Sequence, residues 1–140
     1  NDIHYPLVSY SRSYGLVKSR KQIRIEVKMR HSHQAGWEPN ESGRFIDHHL
    51  LGAEPLPQLG KPASNDGLAS VEVKTEVGLK AAQLHYTTDT SRLAKRSWTS
   101  IPATINGTTL SAAVPEEATI WLFSVTDSHD GMVSTDVVFP

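Results

Sequence analysis

Two histidines, His31 and His33, flank a single serine in the stretch RHSHQAGW. On an extended chain, residues two apart share a face. A neutral imidazole there can take a proton or ligate a metal. For a zinc site the pair lacks its usual third partner, since no Asp-His follows in HSHQAG. His48 and His49, adjacent on an expected helix, point in different directions. For a general base the natural partner is an acid, and Asp2 lies roughly 30 positions earlier. If both residues followed strands of an open α/β sheet, they would meet at its carboxyl edge. The carboxylate would then accept the imidazole N–H and fix its tautomer. The plain alternatives are rings bonded to nearby backbone and an Asp2 that is only a terminal residue. Spacing alone does not displace them.

The elements that must position these groups are written in residues 21–51. Ile23, Ile25, Val27 and Met29 alternate with Arg24, Glu26, Lys28 and Arg30, the period of a one-sided strand over 23–29. The alternation stops at His31-Ser32-His33. Pro39 suits the first turn of a helix, and Phe45, Ile46, His49 and Leu50 recur at helical spacing until Gly52. Upstream, Leu7, Tyr10 and Tyr14 after Pro6 predict a short helix, with Gly15 as a breaker.

Residues 52–67 carry Pro55, Pro57 and Pro62 among small polar residues, so regular structure is not expected and a domain boundary is. Short strands follow at 68–75, 81–87 and 96–103. The dipeptide Asn106-Gly107 predicts a two-residue hairpin turn joining 104–105 to 108–114. The run ATIWLFSV at 118–125 fits a central buried strand, TDSHDG turns the chain, and 132–139 closes it. Six or seven strands at this spacing read as an antiparallel β-sandwich of immunoglobulin or fibronectin type.

Composition narrows the function classes. The chain has 140 residues, 38% of them hydrophobic, with a formal net charge of −1. Neither a nucleic-acid partner nor a membrane surface is expected from that balance. No apolar run approaches the ~20 residues of a membrane span. There is no cysteine, which removes disulfides, thiolate metal sites and cysteine nucleophiles. The start, NDIHYP, has no initiator methionine and no signal peptide, and reads as the interior of a longer protein.

The run NDIHYPLVSYSRSY, the strand after it, and MRHSHQAGWEPNESGRFID resemble the C-terminal end of α/β-hydrolases. The dienelactone-hydrolase and acetyl-xylan-esterase-like branch is most similar. The resemblance covers residues 1–60. It implies that Asp2, with Asn1, ends the turn carrying the catalytic acid. It implies that His33 is the catalytic base after the last strand, with His31 as the alternative. It also implies that the following helix is the last of that fold. No G-x-S-x-G elbow occurs, and Ser11, Ser13 and Ser32 lack the strand–turn–helix setting of a nucleophile. The family's serine precedes the acid, so it would lie before Asn1, and this chain alone would not be active.

The resulting expectation is an α+β chain in three parts. Residues 1–53 are the C-terminal segment of an α/β-hydrolase, 54–67 a linker, and 68–140 an immunoglobulin-like β-sandwich. The implied activity is a serine ester hydrolase acting on carbohydrate or small acyl esters, with no cofactor and no metal. Its partners would be the missing N-terminal hydrolase portion and a second copy meeting at the exposed face of strand 23–29. A secreted or periplasmic location follows by analogy with appended sandwiches. The other hypothesis is a non-catalytic accessory module that binds polysaccharide or a protein. For it, Trp98, flanked by Lys95, Arg96 and Ser97, is the exposed stacking candidate, whereas Trp121 and Phe123 read as core. Asp127, Ser128 and Asp130 read as a solvated turn too short for calcium. Lys18, Arg20, Lys21 and Arg24 read as a solvated loop.

Overall fold

A computed structural model describes residues 6–140, so Asn1 and Asp2 lie outside the described residues. The chain is mixed α+β and mostly β: three helices precede two antiparallel sheets. Helix α1 spans Leu7–Leu16, α2 His33–Trp37 and α3 Glu41–Leu51. Pro6 precedes α1 and Gly52, at φ 69°, closes α3 in the left-handed conformation, as the sequence predicts.

The first sheet is built on β3 (Leu68–Lys74). β1 (Gln58–Leu59) and β2 (Ala63–Asn65) pair with one edge of it, and β7 (Thr109–Ala113) with the other, followed by β6 (Thr104–Asn106). The second sheet runs in the order β5 (Thr99–Pro102), β4 (Leu79–Thr87), β8 (Ile120–Asp127), β9 (Met132–Ser134). Alternate residues of both sheets meet in one core. Val71, Val73 and Leu110 come from the first, and Leu84, Trp121 and Phe123 from the second. Full burial of each such side chain contributes about 1.5–3 kcal/mol.

The segment expected to be an irregular linker therefore contains two short strands. Asp66 (φ 48°) and Gly67 (φ 75°) form the two-residue turn between β2 and β3, and positive φ at both positions is the type I′ geometry. The second hairpin is shifted by one residue from the expected register. Asn106 pairs with Thr109, so the turn is Gly107-Thr108. Only Gly107 of the two has positive φ, which is the type II′ pattern with glycine first.

Strand 23–29 does not form. Residues 21–26 take no regular element, and a turn at 27–28, with Lys28 at φ 64°, follows them. Two of the alternating apolar side chains, Ile25 and Val27, still share one face. Ile25 and Val27, with Leu7 of α1 and Leu93, pack on Ile120, Leu122, Trp98 and Val137. That is the outer face of the second sheet, since Trp121 and Phe123 occupy the inner one. β8 is thus covered on both sides, which is why its sequence is continuously apolar. All strand ladders among the described residues are antiparallel, so no parallel hydrolase sheet is formed there.

Candidate functional site

The histidine loop is held from both ends. Before it, Ser134 N–H donates to the Ile23 carbonyl (2.9 Å), and Ile25 N–H donates to Ser134 Oγ (3.0 Å). After it, α3 is fixed by Arg44, whose Nη2 lies 2.8 Å from Asp127 Oδ2. Between these anchors, Ser32 caps α2 by accepting from Ala35 N–H at 3.1 Å, and His33 is the first residue of that helix. His31 and His33 are both exposed and line one open groove of about 660 Å³. Leu7, Ile25, Val27, Met29 and Trp98 supply its apolar wall. The structure brings the two histidines to the same groove. Their expected partner Asp2 lies outside the described residues.

A volume of this size and apolar character suits a small organic ligand or acyl group. The groove has imidazoles at its edge that can accept protons. A metal centre is a different matter. Among the described residues, no group of three or more His, Asp or Glu side chains converges on one point. His48 Nδ1 lies 2.7 Å from the Ala53 carbonyl, and the His49 ring packs against Phe45 at 4.4 Å, so both serve the end of α3.

Three expectations about other residues change. Trp98 is only 8% exposed, because Leu7, Ile25, Val27 and Leu93 pack with it over the outer face of the second sheet. Asp127 is fully buried rather than solvated. Its Oδ1 accepts from His129 N–H (2.9 Å) and Gly131 N–H (2.8 Å) while Oδ2 takes Arg44. Burial alone would raise its pKa, but the hydrogen bonds from Arg44, Gly131 and His129 outweigh it and hold the carboxyl below its ordinary value. Arg24 is not part of a solvated basic loop, since it pairs with Glu26 at 2.8 Å and Glu41 at 3.2 Å.

One arrangement escaped the sequence reading. His85 on β4 is buried with Nδ1 2.7 Å from Ser100 Oγ on β5 and Nε2 2.8 Å from Ser124 Oγ on β8. Burial pushes its pKa down, so the ring is neutral near pH 7. A Ser–His contact of this kind can activate a hydroxyl. Here Ser124 is 3% exposed and none of the three residues lines a described cavity, so the network serves the sheet. The alternation in AAQLHYT hints that His85 faces away from the core, but its partners depend on sheet order.

No protein-family model matches the chain, and no curated protein matches it significantly.

Proposed function

We propose that this chain is the C-terminal part of a serine ester hydrolase, in which the histidine loop supplies the general base and an immunoglobulin-like sandwich follows it. The observation that carries the proposal is the uneven distribution of apolar surface. Leu16, Val17, Trp37, Ile46, Leu50 and Leu51 are all more than 40% exposed and all precede residue 52. After that point only Leu68, Ile105 and Phe139 are large apolar residues left exposed. A concentration of this kind supports a surface covered by a partner. The α/β-hydrolase resemblance of the same residues names the cover as the preceding part of that domain.

The edge of the 21–26 segment agrees with this. Ile23 C=O and Ile25 N–H face Ser134. Arg24 makes no backbone–backbone hydrogen bond among the described residues. A neighbouring strand pairing there would be in keeping with the alternating sequence of this segment. In the assembled enzyme, His33 takes the proton of the serine hydroxyl and returns it to the leaving group, with Asp2 orienting the ring and His31 as the alternative base. Carbohydrate or small acyl esters are the substrates in keeping with the family resemblance.

The competing proposal is an accessory module that binds polysaccharide. Its best stacking residue, Trp98, is only 8% exposed at the wall of the groove and offers no flat ring face to a polysaccharide chain, which counts against it. The two are separated by assaying p-nitrophenyl acetate turnover in the protein with its upstream portion, and sedimentation of this chain with insoluble polysaccharide. Turnover without sedimentation supports the hydrolase; sedimentation without turnover supports the module.

A further inference from the structure

Between Arg24 and Glu41 the chain leaves the second sheet, presents His31 and His33, and returns. The point of return is Glu41, the first residue of α3, which is 9% exposed. Its Oε1 accepts from Met132 N–H of β9 at 2.8 Å and faces Arg24 Nε at 3.2 Å. The Arg24 contact is an ion pair without hydrogen-bond geometry, so one carboxylate oxygen bonds the second sheet and faces, by charge alone, the segment before the histidine loop. Its other oxygen, Oε2, is buried with no hydrogen-bond partner among the described residues. A half-satisfied buried carboxylate is a poor source of stability. It is an effective way to fix the ends of a loop at one place.

We infer that Glu41 is a positioning residue for the base of the hydrolase, and that β9 is its foundation. On this view the sandwich is part of the catalytic unit rather than an appendage, because Met132 and Ser134 of one strand hold both sides of the loop. The inference rests on the hydrolase reading for its chemistry. The placement of the loop can be measured without it.

The test uses two preparations. In the chain described here, Glu41→Ala is expected to shift the His31 and His33 ring resonances in NMR spectra and to speed exchange of Ile25 N–H at least about tenfold, leaving the Trp121 indole resonance in place. Arg24→Gln leaves Met132 its acceptor, guards against a Glu41 variant that fails to fold, and is expected to give the same ring shifts. Unmoved ring resonances in Arg24→Gln overturn the inference. In the protein with its upstream portion, Glu41→Ala should lower kcat about 100-fold and Arg24→Gln about 10-fold, with KM nearly unchanged in both, the cost of a misplaced catalytic group. Glu41→Gln, which keeps an acceptor for Met132, should restore part of that loss. A loss of kcat with unmoved rings also overturns it. Absence of any esterase activity sinks the hydrolase reading alone, and the ring resonances still decide whether Glu41 fixes the loop.

Discussion

Asp127→Ala removes the contact that docks α3 on the second sheet together with two bonds of the 127–131 turn. The wild-type carboxylate is fully buried and takes three hydrogen bonds, from Arg44, His129 N–H and Gly131 N–H. Removing it leaves the Arg44 guanidinium and two backbone donors without their acceptor. Breaking a buried ion pair from one side costs about 3–5 kcal/mol. Arg44 is 17% exposed and can partly rehydrate, which places the loss near the lower end, about 3 kcal/mol. With a urea m-value of about 2 kcal/mol/M for a chain of this size, the midpoint should fall by about 1.5 M. Asp127→Asn keeps an acceptor for the two N–H groups and should cost about 2 kcal/mol. The sign of the pH dependence follows from the lowered pKa. This stability is fully present above the ordinary carboxyl value and is lost as pH falls through the depressed folded value, where wild type and variant converge. A midpoint shift below about 0.5 M, about 1 kcal/mol, would show that the ion pair does not dock the helix.

Gly131→Ala should destabilise by about 1–3 kcal/mol, because a Cβ there would fall on Arg44 Nη1 and Leu56 Cδ2. In an Arg44→Ala background most of that penalty should vanish, and additive losses in a double-mutant cycle would contradict the packing. His85 has a pKa lowered by burial, so it opposes folding once the unfolded imidazole protonates. Its contribution makes stability fall as pH drops below 6.5, and His85→Gln should flatten the urea midpoint between pH 7 and pH 5. Equal slopes for the two proteins would assign that pH dependence to other groups. Gly107→Val should cost about 1–2 kcal/mol by thermal unfolding, since φ 58° at this turn position disfavours a β-branched side chain; an unchanged midpoint would contradict the turn assignment.

Much of the fold is legible in the chain because burial leaves a period. The run ATIWLFSV names β8 by burial, whereas α3 is named by helical spacing before Gly52 although Ile46 and Leu50 are exposed. Periodicity reports which side is covered, not which backbone is bonded. Ile23, Ile25 and Val27 alternate as a strand does, and Ile25 and Val27 are packed on one side, yet they lie over the outer face of a sheet instead of within one. Turn chemistry had the same limit. Asn106-Gly107 marked a hairpin one residue out of register, whereas Asp66-Gly67, hidden in a proline-rich stretch, marked one that was missed. For the site, the histidine pair stood out in the sequence, but its supports did not. Glu41, Met132 and Ser134 become neighbours only through the packing of α3 and residues 22–26 on β9. Trp98 departs from its expected exposure for the same reason, since charged neighbours in sequence say nothing of packing by Leu7, Ile25, Val27 and Leu93.

The central claim is that the imidazole at the start of α2 does acid–base chemistry on an ester. The direct measurement is kcat/KM for p-nitrophenyl acetate in the protein with its upstream portion, compared with His33→Ala and His31→Ala. The account predicts a fall of about 1,000-fold or more for His33→Ala and a much smaller change for His31→Ala. Turnover by His33→Ala equal to that of the unaltered protein would contradict it.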